Sequence, residues 1–151
     1  MGVGFGFAIA AQRLYPDHKV VMVEGDSGFG FSAMELETAA RYGMPLKCVI
    51  INNSGVMFGT EEIEKGAKIN DIPPNALMPG AKYELLAVAF GGKGRSVSTT
   101  QELEAALAEM LSDNNLWVLN VIIDSSASMK AAKFGWLTSS KDISKPQEAK
   151  L

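Results

Sequence analysis

This chain of 151 residues holds one cysteine and one histidine. One cysteine cannot form a disulfide within the chain, which fits a reducing compartment. Cys48 lies inside an apolar run and reads as a small buried hydrophobe rather than a reactive thiol. His18 sits in a polar Asp17-His18 turn, so it reads as a surface residue and no Ser-His-Asp triad is available. No apolar run approaches the roughly 20 residues of a membrane span, so no membrane partner is expected. The first residues lack the basic region of a secretory signal. Neither sign of charge dominates: 14 Lys and Arg stand against 17 Asp and Glu, a formal charge of −3. Without a basic block, nucleic acid is not an expected partner. What is present is 47% apolar residues, the composition of a packed globular domain, at a length that suits one domain.

The organising stretch is residues 25–55, GDSGFGFSAMELETAARYGMPLKCVIINNSG. Apolar runs end at Gly25-Asp26 and at Asn52-Asn53, with a helical pattern between them. This reads as strand, tight turn, helix, strand, turn. A right-handed crossover between parallel strands puts both C-terminal ends at one sheet edge. Asp26 and Asn53 then face one crevice, the place where open α/β sheets bind ligands.

Their side chains offer one charged and one neutral hard oxygen, which suits Mg²⁺ or Ca²⁺, and Mg²⁺ commonly completes its shell with waters and phosphates. Gly25, Gly28 and Gly30 allow a sharp turn and a close approach of backbone to ligand. A helix starting near Ser32 would aim its N–H groups and positive dipole end at the same place. Together these features suggest a metal-bridged diphosphate. Taken alone, the glycines could equally shape a turn, and Asp26 or Ser27 could cap a helix. The dinucleotide spacing G-x-G-x-x-G is not kept in GVGFG or GDSGFG, and GDSGF departs from G-x-S-x-G at Phe29.

The pairing of GDS with the second asparagine of Asn52-Asn53 resembles the signature of thiamin-diphosphate enzymes. The wider wording GDSGFGFSAMELETAARYGMP is similar to the 2-hydroxyacyl-CoA lyases and their relatives, the oxalyl-CoA decarboxylases. Ser27 stands where the signature usually has glycine, a replacement also seen in that acyl-CoA branch. The resemblance implies that Asp26, the Asn53 side chain and the Gly55 carbonyl bind Mg²⁺. It implies cofactor contacts from Met1, Ser27, Gly28, Asn53 and Val56, with Met1 beneath the bent thiamin diphosphate. It also implies cleavage of a 2-hydroxyacyl-CoA to formyl-CoA and an aldehyde, or alternatively oxalyl-CoA decarboxylation. The activating glutamate is expected on a pyrimidine-binding domain, in the full-length protein or a second subunit, within a homodimer or homotetramer. The fold implied is a three-layer α/β domain with a mostly parallel sheet, the thiamin-diphosphate-binding fold, lacking its first strand. A non-catalytic cofactor-binding fragment is the reading from another class.

In chain order, residues 1–15 read as a helix stopped by Pro16, and 19–24 as an apolar buried strand. Residues 32–42 read as a helix closed by Gly43 and Pro45, with Glu35 and Glu37 solvated on it. Residues 46–51 form the next strand, and 54–60 the loop beyond the crevice, where the resemblance places the segment covering the cofactor. Residues 61–79 are broken by Pro73, Pro74 and Pro79 and read as a short helix and long loop. Further elements are helix 82–90, strand 94–97, helix 100–111 capped by Thr99 or Thr100, and strand 117–123. These four are expected to complete the sheet without carrying chemistry. The division expected is a cofactor-binding domain over 1–124, truncated at its N-terminus, and a tail over 125–151. The piece KAAKFGWLT, residues 130–138, resembles the lyase segment that folds over acyl-CoA, where Lys130 and Lys133 suit CoA phosphates. Ala149-Lys150-Leu151 is a variant of the peroxisomal Ser-Lys-Leu address, so a peroxisomal location is expected, with cytoplasmic as the alternative.

Overall fold

A computed structural model describes residues 1–56 and 73–126. The elements run α1 (Gly4–Leu14), β1 (Val21–Gly25), α2 (Asp26–Gly30), α3 (Glu35–Arg41), β2 (Lys47–Asn52), α4 (Glu84–Ala89), β3 (Lys93–Val97), α5 (Thr100–Ser112) and β4 (Trp117–Ile122). The strands pair in the order β1-β2-β4-β3, every pair parallel. Each crossover carries a helix, as parallel pairing requires.

Alternation along the strands divides the core in two. On one face Met22, Cys48, Ile50 and Val118 pack with Phe5 and Ala8 of α1, Phe29 of α2, Leu36 and Ala39 of α3, and Ala87 of α4. On the other face Val49, Leu119, Val121, Trp117 and Val97 pack with Ala106 and Met110 of α5. Strands covered on both sides have no solvent face, so they read as continuous apolar runs. β1 lies at the sheet's edge, beyond the reach of α5. Its Val21 and Val23 are 44% and 62% exposed on that second face.

The helix ends are set locally. Gln12 Nε2 donates to the carbonyls of Pro16 (3.2 Å) and His18 (3.1 Å), tying down the turn that stops α1. Thr99 and Glu102 cap α5 reciprocally: Glu102 N donates to Thr99 Oγ1 at 3.2 Å, and Thr99 N to Glu102 Oε2 at 3.2 Å. α4 lies almost on β3, because a Cβ at Gly94 would sit 2.1 Å from the Glu84 carbonyl oxygen.

One expected boundary is corrected. The expected tight turn followed by a helix starting near Ser32 is not what forms. α2 begins at Asp26 itself, and hydrogen-bonded turns at 31–34 separate it from α3. The cause is packing: Phe29 must point inward, and its ring lies 5.7 Å from Phe5 and 5.6 Å from Tyr83. One turn of helix at Asp26 achieves this. So short a helix sums few peptide dipoles, and the strong anion-attracting terminus expected near Ser32 is not formed there.

Candidate functional site

The register places Gly25 opposite Ile51, so the chain ends of β1 and β2 emerge side by side. Asp26 follows the first and Asn53 the second. Asp26 is 1% exposed. Its Oδ1 accepts from Ser27 N at 2.8 Å, while its Oδ2 is buried without a hydrogen-bond partner. Burial raises the Asp26 carboxyl above its ordinary pKa, and approach of the Ser27, Gly55 and Ser54 backbone works against that rise. The two segments therefore meet: the Asp26 carboxylate faces the turn at 53–55.

That turn is held on several sides. Asn53 Oδ1 accepts from Gly55 N at 3.2 Å, an Asx turn. Ser54 takes a left-handed backbone with φ 57°, uncommon for a residue with a side chain. From the loop after 72, Asn75 O accepts from Val56 N at 2.7 Å and Leu77 N donates to Ser54 O at 2.9 Å. From below, Asn52 Oδ1 accepts from Ser54 N at 3.0 Å.

Beside the carboxylate lies a cavity of about 350 Å³, lined by Asp26, Ser27 and Gly30 on one side and Phe31, Val56, Leu77 and Tyr83 on the others. Most of these side chains are apolar. Burial and the nearby Asp26 charge both raise the Tyr83 hydroxyl above its usual pKa. A charged edge against an apolar chamber suits a ligand with an anionic end and an aromatic or aliphatic body.

The structure thus brings together Asp26, Ser27, Asn53, Gly55 and Val56. Two other expected contacts lie outside the cavity lining. Gly28 backs onto Glu24, where an added Cβ would meet the carboxylate at an ordinary 3.8 Å. Met1 is 69% exposed, and its neighbour Gly2 packs so closely on Phe31 that a Cβ there would come within 2.6 Å. Residues 57–60 of the loop expected to cover the cofactor, Lys130, Lys133 and Ala149-Lys150-Leu151 fall outside the described residues. Glu37 pairs with Arg41 at 3.0 Å on the surface, the solvated role expected of it.

Three contributors were not legible in the sequence. Tyr83 reaches the cavity from an element expected only to complete the sheet. Glu84 and Asn120, from α4 and β4, form a buried polar link to Asn52. The one available signal was Asn120 itself, a polar residue inside WVLNVII.

These residues fit a divalent cation shared with a phosphate. Among the described residues no three His, Cys, Asp or Glu side chains gather into a metal cluster. The donors at hand are one buried carboxylate with an unpartnered oxygen, one side-chain amide and backbone carbonyls. That set leaves positions for water and phosphate, as Mg²⁺ sites commonly do.

A parallel sheet with such an edge and cavity defines a cofactor-binding α/β enzyme domain. Comparison with known proteins gives the family. Residues 1–121 match the thiamine pyrophosphate enzyme, C-terminal TPP binding domain. The chain belongs to that family. It is 42% identical over 151 residues to human 2-hydroxyacyl-CoA lyase 1, covering 93% of this chain and 26% of the relative. It is 47% identical over 137 residues to 2-hydroxyacyl-CoA lyase of Arabidopsis thaliana, covering 88% and 24%. It is 42% identical over 127 residues to oxalyl-CoA decarboxylase of Escherichia coli, covering 84% and 22%. The chain therefore spans about a quarter of the length of these relatives. A solved structure, the thiamine diphosphate-dependent 4-hydroxybenzoylformate decarboxylase of Rhodococcus jostii, shares the fold. Its TM-score is 0.64 at 23% identity, covering 86% of this chain and 24% of that one. The chain is a thiamin-diphosphate-binding domain of the 2-hydroxyacyl-CoA lyase and oxalyl-CoA decarboxylase group.

Proposed function

We propose that this domain anchors thiamin diphosphate through Mg²⁺ for an enzyme that cleaves 2-hydroxyacyl-CoA to formyl-CoA and an aldehyde. The observation that carries the reading is the buried, unpartnered Oδ2 of Asp26 facing the Asn53–Gly55 turn. In this reading Asp26, the Asn53 side chain and the Gly55 carbonyl hold the ion, and Ser27 and Val56 touch the cofactor. Gly28 and Met1 belong to the same cofactor surface, at its margin. The cofactor, when bound, supplies the electron sink for carbon–carbon cleavage. The protein anchors the diphosphate end, keeps the chamber dry with Phe31, Leu77 and Tyr83, and fixes orientation.

Titration calorimetry with thiamin diphosphate, with and without Mg²⁺, tests the anchor. Binding is expected to require the ion, and Asp26→Asn is expected to weaken it at least about tenfold, or ~1.4 kcal/mol, with an unchanged circular dichroism spectrum. Equal binding by the variant would remove the assignment.

Oxalyl-CoA decarboxylation is the second reading. It is supported by identity to the bacterial decarboxylase equal to that for the human lyase, 42% in each case. Trials of both acyl-CoA classes on the assembled enzyme separate the two. Either reaction draws its activating glutamate from a pyrimidine-binding domain, which we place on a longer chain or on a second subunit of a homodimer or homotetramer. Lys130 and Lys133 are proposed to meet CoA phosphates. Their replacement by Gln should raise KM for acyl-CoA without changing kcat, and an unchanged KM would end that idea. Peroxisomal delivery is proposed on Ala149-Lys150-Leu151. A reporter ending in residues 140–151 that stays in the cytosol would contradict it.

A further inference from the structure

We propose that Glu84, Asn120 and Asn52 form a positioning relay that sets the shape of the Asn53–Gly55 turn and hence the direction of its ligand oxygens. This rests on the cofactor reading above. The three side chains are 7%, 0% and 2% exposed in a core that is otherwise apolar. Buried polar groups in such surroundings persist where their hydrogen bonds are made.

The relay has a fixed polarity. The Glu84 carboxylate and the Ala81 carbonyl both accept. Asn120 Nδ2 therefore turns to them, at 2.8 Å and 3.1 Å. Its Oδ1 is left facing Asn52 and accepts from Asn52 Nδ2 at 3.1 Å. Asn52 Oδ1 must then point at the turn, where it accepts from Ser54 N at 3.0 Å and meets Ser54 Oγ at 3.5 Å. Flipping either amide would set acceptor against acceptor or donor against donor. Orientation fixed on α4 is thus transmitted through β4 and β2 to the one described non-glycine residue with positive φ, Ser54. A left-handed residue is retained where its surroundings over-determine it. The relay supplies that restraint from below, and Leu77 N supplies it from above. Ordinary packing would be served equally by apolar side chains at 84, 120 and 52. The alignment of all three along one directed chain that ends on the turn points to a role in orienting it.

The test uses the 151-residue chain and two readouts. The first is residue-resolved amide exchange by NMR without ligand. The second is titration of Mn²⁺ in the presence of thiamin diphosphate, followed by electron spin resonance. Asn120→Leu should accelerate exchange at Ser54 at least tenfold relative to Val118 and Leu119, and weaken Mn²⁺ binding at least tenfold. Glu84→Gln keeps an acceptor for Asn120 Nδ2 and should stay within twofold on both readouts. If Asn120→Leu does not fold, Glu84→Ala is the milder break and should speed Ser54 exchange at least threefold. Unchanged exchange at Ser54 in a folded variant, or a uniform rise across the sheet, overturns the relay. A wild-type chain that binds no Mn²⁺ with the cofactor removes the cofactor reading instead, and the relay is then decided by exchange alone.

Discussion

At the residue scale, two buried acids of similar accessibility do different things. Asp26 keeps an unpartnered oxygen beside the 53–55 turn, and the cation proposed above would complete it. Cys48 is buried among apolar neighbours of the sheet core and has no such opening. Burial pushes its thiol up to about 12. The consequence is a pH effect with a definite sign. The unfolded chain releases this proton near 9.0 and the folded chain much later, so the stability from this group is full below about 9.0 and is lost as pH rises toward 12. Alkylation by iodoacetamide at pH 8 is expected to be far slower in the folded chain than in guanidinium, because the fully buried thiol is out of the reagent's reach and held protonated. Comparable rates in the two conditions would show that β2 opens far more readily than its packing suggests.

At the element scale, the site depends on how closely α4 rides on the sheet. Tyr83 and Glu84 sit at the start of α4, and Gly94 is the point where β3 lets it approach. A methyl group at 94 would stand 2.1 Å from the Glu84 carbonyl, so the helix would have to lift. Gly94→Ala is expected to destabilise the chain by about 2 kcal/mol, read as a lower midpoint in urea with unchanged slope. Gly6→Ala is the control, because a Cβ there meets nothing within 4 Å. Similar losses for both variants would refute the close-approach account. The same scale explains the misplaced helix start. The sequence FSAMELETAARY carries a good helical pattern, but nothing in it announces that Phe29 must reach Phe5 and Tyr83. That demand starts a helical turn at Asp26 and hydrogen-bonded turns before α3.

At the scale of the whole molecule, the apolar surface is unevenly finished. α5 covers the second sheet face over β4 and β3, while Val21 and Val23 of β1 lie bare, with Phe7, Phe31 and Met34 exposed on the helical side. Large exposed apolar areas mark contact surfaces. They fit the proposal that a pyrimidine-binding body completes the enzyme. The 151-residue chain alone is expected to release at most traces of formyl-CoA from a 2-hydroxyacyl-CoA in a coupled assay. Substantial turnover by the chain without a partner would show that the activating group lies within it.

Sequence by itself determined the parallel α/β class, the strands, the arrival of the segments bearing Asp26 and Asn53 at one sheet edge, and the surface roles of His18 and Glu37. These follow from local signals: apolar runs ended by turn residues, helical periodicity, and a crossover whose hand is nearly fixed by chirality. Only the tertiary structure decided that Tyr83 lines the cavity, that Gly28 and Met1 stand outside it, and that Glu84 reaches Ser54 through Asn120 and Asn52. Those facts depend on which strands become neighbours and how near a helix lies to them. Such long-range placement is settled by packing between segments far apart in the chain, and no window of residues contains it.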